Sequence, residues 1–122
     1  MVDDYPLARS TIRGLLGWHE MYVCGEAKDG KEAIEQVKAL NPDIVLLNIN
    51  MPVMNGMQAA LEIRRISPGT KILFLTVVGA NEAAAGARIL ADGFVLKSAA
   101  GKELIPALER LLPKFPKEKP RT

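Results

Sequence analysis

Polar and charged residues that could bind a metal ion or a phosphate group follow several short apolar runs of this chain. These residues are Asp3, Asp4, Asn48, Asn50, Thr76 and Lys97. Carboxylates and other oxygen ligands bind hard cations such as Mg²⁺, and a lysine ammonium group pairs with phosphate. Because ligands of parallel α/β sheets bind at the carboxyl ends of the strands, these positions predict one shared site.

Asn48 follows the apolar run Ile44–Leu47 and opens a loop that continues to Gly56. The run is too short for a typical helix and is apolar on both alternating faces, which is typical of a parallel strand covered by helices on each side. A carboxylate at this strand end could attack phosphorus, but the amide of Asn48 is neutral, delocalised and a poor nucleophile. We therefore expect no acyl phosphate here.

Helix-like and strand-like segments alternate along the whole chain. Helices are predicted from Pro6 to about Gly17, from Lys31 to Leu40, from Ala59 to Ile66, from Asn81 to Leu90 and from Leu104 to Leu112. Strands are predicted at Met21–Cys24, Ile44–Asn48, Ile72–Thr76 and Gly93–Lys97. This alternation predicts an α/β fold with a doubly wound parallel sheet and right-handed crossovers.

Composition predicts one globular domain followed by a short tail. The 122 residues are 48% hydrophobic and 25% charged, and the formal net charge is +2. We expect a domain at residues 1–112 and a basic, proline-rich tail or linker at residues 113–122. The tail carries a charge of +3, which leaves −1 for the domain, so the domain offers no basic surface for direct nucleic-acid binding.

Cysteine content and hydropathy favour a cytoplasmic protein that does not enter a membrane. Cys24 is the single cysteine, and the sequence has neither a long apolar stretch nor a signal-peptide pattern. His19 stands alone in sequence and Cys24 lies in an apolar run, so we expect neither to bind a metal.

The segment from Pro42 to Gly56 closely resembles the phosphoacceptor strand and loop of bacterial response-regulator receiver domains, which belong to two-component phosphorelay systems. In that family an aspartate occupies the position of Asn48, so the resemblance is to a receiver with an inactive phosphoacceptor position, a pseudo-receiver. The resemblance implies a flavodoxin-like fold with strand order 2-1-3-4-5, an order that receivers are known for and that we do not derive.

The resemblance also implies a magnesium site. Receivers hold Mg²⁺ with an acidic pair, which matches Asp3 and Asp4, and with groups at the positions of Asn48 and Asn50. Because Asn48 removes one negative charge, we expect magnesium binding to be weak or absent. Taken alone, the acidic pair would more often be a solvated turn near a helix start.

Three further positions match groups with which receivers sense phosphate. Thr76 matches the hydroxyl that bonds a phosphoryl oxygen, Lys97 matches the amine that pairs with phosphate, and Phe94 matches an aromatic residue that reports the state of the threonine. Each has an alternative interpretation: Thr76 as a strand-favouring residue, Lys97 as a solvated strand end and Phe94 as ordinary core packing.

The first strand of the expected sheet is largely missing. Receivers have several apolar residues before the acidic pair, whereas only Met1 and Val2 precede Asp3. Losing about four buried side chains would cost on the order of 6–12 kcal/mol, comparable with the stability of a whole domain. Three explanations remain open: further residues upstream, a rearranged fold, or a strand supplied by a second copy.

The leading functional hypothesis is a non-enzymatic receiver-like signalling domain that cannot be phosphorylated on Asn48 and acts through protein–protein contacts. The expected partners are a sensor histidine kinase or another signalling protein, and a second copy of the chain in a homodimer. The alternative is a phosphorylatable receiver that carries an engineered aspartate-to-asparagine change, in a transcriptional regulator with a DNA-binding output domain. A flavin-binding protein is a third reading, which the acidic pair disfavours because it would repel phosphate.

Overall fold

The computed structural model describes residues 1–77, 86 and 90–112. Its helices are α1 (Pro6–Trp18), α2 (Gly30–Leu40), α3 (Gly56–Ile66) and α4 (Ala100–Leu111), and its strands are β1 (Ile44–Leu47), β2 (Lys71–Thr76) and β3 (Gly93–Leu96). A short 3-10 helix spans Lys97–Ala99. Gly86 and Leu90 are helical, while the rest of the predicted Asn81–Leu90 helix and the tail lie outside the described residues.

The helices begin and end near the residues that the sequence predicts. The Asp29 side chain accepts a hydrogen bond from the Glu32 N–H at the start of α2, and Asn41, in the left-handed conformation, ends that helix before Pro42. Pro6 occupies the first turn of α1, where its missing N–H costs little. Within the described part of the chain, no helix is both long enough and apolar enough to cross a membrane.

The three strands form a parallel sheet in the order β1-β2-β3. Val2 continues the sheet beyond β1, because it forms parallel bridges with Leu47 on one side and with Ala27 on the other. Counted along the chain, Val2 belongs to the first strand position and Ala27 to the second. The spatial order is therefore 2-1-3-4-5, which confirms the order that the resemblance implies.

The predicted strand at Met21–Cys24 is wrong. These residues have no strand assignment, and pairing on this side of the sheet is limited to the single bridge at Ala27. The physical reason is the short first strand: Val2 bridges to Ala27, and no described strand pairs with the backbone of Met21–Cys24. The described sheet keeps its order around this gap, so the shortened strand does not bring about a rearranged topology.

Two apolar layers cover the sheet, one on each face. Helices α2 and α3 pack on one face through Ala33, Val37, Ala59, Ala60 and Ile63. Helices α1 and α4 pack on the other face through Ile12, Leu16, Leu104, Ile105 and Leu108. The sheet contributes to both layers because successive strand residues point to opposite faces. This arrangement confirms the predicted doubly wound α/β fold.

Asp92 joins the start of β3 to the neighbouring strand and to α3. Its carboxylate accepts hydrogen bonds from the Ile72 N–H at 2.8 Å and from Arg64 at 2.6 Å, and Arg64 also donates to the Leu90 carbonyl. Burial raises the pKa of the Asp92 carboxyl, but the bonds from Ile72 and Arg64 outweigh burial, so this pKa lies below its usual range.

We predict that Asp92→Ala lowers the free energy of unfolding by about 1–3 kcal/mol at neutral pH, because it leaves the Ile72 N–H without this acceptor. Asp92→Asn, which keeps an acceptor, should cost less. The pKa of the Asp92 carboxyl is lower in the folded than in the unfolded state. The stability that the ionised carboxylate contributes is therefore fully present above the unfolded pKa of 3.8, and it is lost as the pH falls through the folded-state pKa. Denaturant unfolding of the three proteins from pH 7 to pH 3 measures this, and a pH-independent gap between wild type and Asp92→Asn would contradict it.

Candidate functional site

Four of the predicted site residues lie at the same edge of the sheet because each ends, or directly follows, a parallel strand or bridge residue. Asp3 follows Val2, Asn48 follows β1, and Lys97 follows β3, while Thr76 is the last residue of β2. The register places Thr76 opposite Leu96, one residue before Lys97. The sheet thus brings the predicted groups to one edge, as parallel pairing requires.

Asp3 is the buried carboxylate of this site, with 6% of the residue exposed. One carboxylate oxygen forms an ion pair with the Lys97 ammonium group. The other accepts a hydrogen bond from the Tyr5 N–H at 3.0 Å, and the Asp3 carbonyl accepts one from Arg9 at 2.6 Å. Both carboxylate oxygens therefore have partners from within the chain, which offsets the cost of burying the charge.

The side-chain amide of Asn48 donates hydrogen bonds toward the positions expected to bind magnesium. Its nitrogen lies 2.9 Å from the Asn50 carbonyl oxygen and 3.4 Å from a carboxylate oxygen of Asp4. Asn48 is buried with 7% of the residue exposed, whereas Asp4 and Asn50 are exposed. An amide N–H₂ group supplies two donors, so one asparagine can satisfy both oxygens.

As arranged, these residues do not fit a magnesium ion well. The atom that Asn48 turns toward Asp4 and Asn50 is a nitrogen donor, but Mg²⁺ requires oxygen ligands. Asp3 is engaged by Lys97, which leaves Asp4 as the exposed carboxylate of the acidic pair. Among the described residues, no three His, Cys, Asp or Glu side chains are grouped in a way that could hold a metal ion.

Thr76 and Phe94 lie beside this network. Thr76 is buried, and within the described residues no hydrogen bond joins it to Asp3, Asn48 or Lys97. Phe94 stands opposite Phe74 in the sheet and is partly buried against the apolar layer that α2 and α3 cover. Its placement agrees with ordinary core packing, and its predicted role in reporting the state of Thr76 stays a prediction.

The loop after Asn48 is fixed where α3 begins. The Gly56 N–H donates to the Ile49 carbonyl at 2.7 Å, and Asn55 forms a reciprocal capping box with Gln58. A side chain at position 56 has no room, because an ideal Cβ there would lie 2.1 Å from the Asn48 carbonyl oxygen. This close approach holds the Asn48 backbone against the first turn of α3.

Sequence reasoning missed the contribution of Arg9 to this site. Arg9 donates to the Asp3 carbonyl and also pairs with Glu26, which a second arginine, Arg13, contacts as well. These contacts tie the start of α1 to the segment before Ala27. No sequence signal identified them, since Arg9 and Glu26 are distant in sequence and each resembles an ordinary solvated charge.

We predict that Gly56→Ala destabilises the fold by about 3 kcal/mol, because the new methyl group would overlap backbone atoms of Asn48 and Ile49 that cannot move freely. Gly14→Ala in α1 is the matched control. Nothing lies within 4 Å of the corresponding Cβ, so this change should stabilise by about 0.5–1 kcal/mol. Denaturant unfolding measures both changes, and equal stability of the two variants would show that the close approach at Gly56 is wrong.

Relatives of this chain are response regulators and proteins that contain related domains. The chain is 37% identical over 118 residues to a protein-glutamate methylesterase/protein-glutamine glutaminase of Methanosarcina acetivorans, covering 94% of this chain and 34% of the relative. It is 33% identical over 112 residues to the nitrate/nitrite response regulator NarL of Escherichia coli K12, covering 90% of this chain and 52% of the relative. The chain thus spans about a third to a half of the length of these relatives.

A solved structure and a family model agree with this similarity. The chain is similar to the response regulator TrrA of Thermotoga maritima in complex with Mg²⁺ and BeF, with a TM-score of 0.83, 32% identity, and coverage of 91% of this chain and 95% of TrrA. The family model described as the response regulator receiver domain matches residues 1–109. With the 2-1-3-4-5 sheet and the site at its carboxyl edge, this match shows that the chain belongs to the response regulator receiver domain family.

Proposed function

We propose that this chain is a signalling domain of a two-component response regulator that is not phosphorylated on Asn48 and acts through protein–protein contacts. The observation that carries the proposal is the amide of Asn48, which stands at the end of β1 and donates to Asp4 and Asn50. A donor amide offers phosphorus no charged oxygen. The domain therefore binds and does not transfer phosphate.

The charges of the site support a state that needs neither phosphate nor metal. The Lys97 ammonium group pairs with Asp3, and the Asn48 amide reaches Asp4. In receivers, the lysine at the position of Lys97 pairs with phosphate. Here the Lys97 ammonium group pairs with Asp3, so it has a partner within the chain without phosphate. We therefore propose that the domain signals by binding a partner protein. The conformation of the site stays the same with and without a phosphodonor.

Magnesium binding by this site is proposed to be weak. The related TrrA structure contains Mg²⁺. The resemblance to receivers assigns Asp3, Asp4, Asn48 and the Asn50 carbonyl to such a site. Two features weaken the binding of a cation. Lys97 competes with it for Asp3, and the neutral Asn48 amide directs its N–H₂ group to the Asp4 and Asn50 oxygens that the cation would need. A bound ion would neutralise the acidic pair. Here Lys97 neutralises Asp3, and the Asn48 amide donates a hydrogen bond to Asp4.

The proposed partners are a sensor histidine kinase or another signalling protein, and a second copy of the chain. The NarL relative is named as a response regulator for nitrate and nitrite, and its similar region is about half of its length. We propose that residues 113–122 form a linker, which in a regulator of this kind leads to an output domain that binds DNA. Nucleic-acid binding would then belong to that domain and not to residues 1–112.

The alternative function is a phosphorylatable receiver in which Asn48 replaces an aspartate by an engineered change. The groups that phosphate chemistry needs favour this alternative, because Asp3, Asp4, Thr76 and Lys97 are all present at the correct edge of the sheet. A domain that acts through contacts alone has no chemical need for all four. Restoring the carboxylate distinguishes the two functions.

We predict that the chain is not labelled by acetyl phosphate in the presence of Mg²⁺, and that Asn48→Asp is not stably labelled either if the domain acts only through contacts. Mass spectrometry of the intact protein after brief incubation measures the label. Asn50→Asp is the matched control, since it adds the same charge two residues away. Stable labelling of Asn48→Asp but not of Asn50→Asp would support the phosphorylatable alternative.

We predict that Lys97→Gln tightens magnesium binding by roughly tenfold, because it removes a cation that competes for Asp3. Isothermal titration with MgCl₂ measures the affinity, and thermal unfolding checks that the variant stays folded. Lys102→Gln removes the same charge from an exposed position of α4 and should leave the affinity unchanged. Equal affinities of the Lys97→Gln and Lys102→Gln variants would contradict the proposed competition.

A further inference from the structure

An uncharged stripe of side chains runs along one flank of α1. Because an α-helix has about 3.6 residues per turn, Leu7, Thr11, Gly14, Leu15 and Trp18 lie on the same side of this helix, and we call them the α1 stripe. Leu7 is 74% exposed and Trp18 is 88% exposed. Single apolar residues are common on protein surfaces, but a continuous stripe along a whole helix is typical of an interaction surface.

A groove opens beside the α1 stripe, between α1 and the start of α4. Its volume is about 510 Å³, and the stripe residues Leu7, Thr11 and Leu15 line it from α1. The small residues Ala100 and Gly101 line it from the other side. Nothing lies within 4 Å of the Cβ position of Gly101, so this side of the groove is open. The groove therefore has room for a large side chain.

The charges of α1 lie away from the α1 stripe. Arg9 and Arg13 fall on a different side of the helix, where both pair with Glu26. Lys97 lines the groove, but its ammonium group pairs with Asp3. A partner that covers the stripe therefore avoids the cost of burying an unpaired charge of α1.

We propose that the α1 stripe is a homodimer interface, in which the α1 helices of two copies pack antiparallel about a two-fold axis and each Trp18 side chain enters the groove of the other copy. The inference rests on the proposed function, because it specifies the surface through which a second copy binds. The interface needs no phosphate and does not involve Asn48.

The two ends of the α1 stripe complement each other. Trp18 is exposed at one end, and the groove opens beside Tyr5 and Leu7 at the other, roughly 16 Å away along the helix. A two-fold axis at the midpoint, near Thr11 and Gly14, places each Trp18 opposite the Leu7 end of the other copy. One surface thus supplies both the protruding side chain and its groove, whereas a helix of another protein would have to supply a counterpart for each.

The area that this interface buries is sufficient for a specific dimer. Tyr5 and Trp18 of two copies are four exposed aromatic side chains, which at roughly 150 Å² each bury on the order of 600 Å². The surfaces that cover them lose a similar area, so the total of about 1,200 Å² reaches the range of specific interfaces before the leucines are counted. Trp and Tyr are also enriched among the residues that dominate binding energy.

The test measures the mass of the full chain by light scattering across a dilution series, together with the fluorescence of Trp18, the single tryptophan. We expect a dimer in which the Trp18 emission shifts to shorter wavelength and is protected from quenching by acrylamide. Leu7→Glu places a charge in the α1 stripe and should weaken the dimer by at least roughly tenfold. Leu61→Glu is the matched control, since Leu61 is an exposed leucine of α3, and it should leave the dimer unchanged.

A second pair of variants covers the case in which Leu7→Glu does not fold, which circular dichroism would reveal. Trp18→Ala removes the side chain that enters the groove and should weaken the dimer by a similar factor. Tyr22→Ala is its control, because Tyr22 is an exposed aromatic residue outside the α1 stripe, and it should leave the dimer unchanged.

Three outcomes would overturn the proposal. The first is a monomer at every concentration up to roughly 1 mM. The second is a dimer in which acrylamide quenches Trp18 as strongly as it does in the monomer. The third is equal dimer affinity of each stripe variant and its control, which would place the interface elsewhere. Stable labelling of Asn48→Asp by acetyl phosphate would instead contradict the proposed function and leave the dimer in place, so the two failures are distinguishable.

Discussion

The two-sided pairing of Val2 is the constraint on which the site depends. Val2 bonds to Leu46 and Asn48 on one side, and its neighbours Met1 and Asp3 bond to Ala27 on the other. This short ladder holds Asp3 at the carboxyl edge of the sheet, within reach of Lys97. The pairing of Met1 to Asp3 is therefore sufficient to position Asp3 at the site.

The amide of Asn48 determines much of the electrostatics of the site. A carboxylate beside Asp3 and Asp4 would bring three like charges together and would require a cation. The Asn48 amide instead donates to Asn50 and reaches Asp4. Because the Asn48 amide is a donor and Lys97 pairs with Asp3, the polar groups of the site largely satisfy one another.

Much of the fold could be predicted from the sequence, since hydrophobic periodicity and the prolines delimit β1 and the helices well. The strand at Met21–Cys24 could not, because a strand requires a partner and its β-favouring residues say nothing about whether that partner is present. For the site, the resemblance to receivers, together with the strand ends, predicted Asp3, Asn48 and Lys97 at one edge. The pairing of Lys97 with Asp3 and the orientation of the Asn48 amide depend on distances between distant residues, which sequence spacing does not provide.

The most direct test of this account is an NMR measurement on the side-chain amide of Asn48. The account predicts a through-hydrogen-bond coupling from its nitrogen to the Asn50 carbonyl carbon, and side-chain amide resonances that do not shift when MgCl₂ is added at millimolar concentration. Loss of that coupling with a saturable shift on adding MgCl₂ would contradict it. Such a result would mean that the amide turns its oxygen to the cation and that the site remains a metal site.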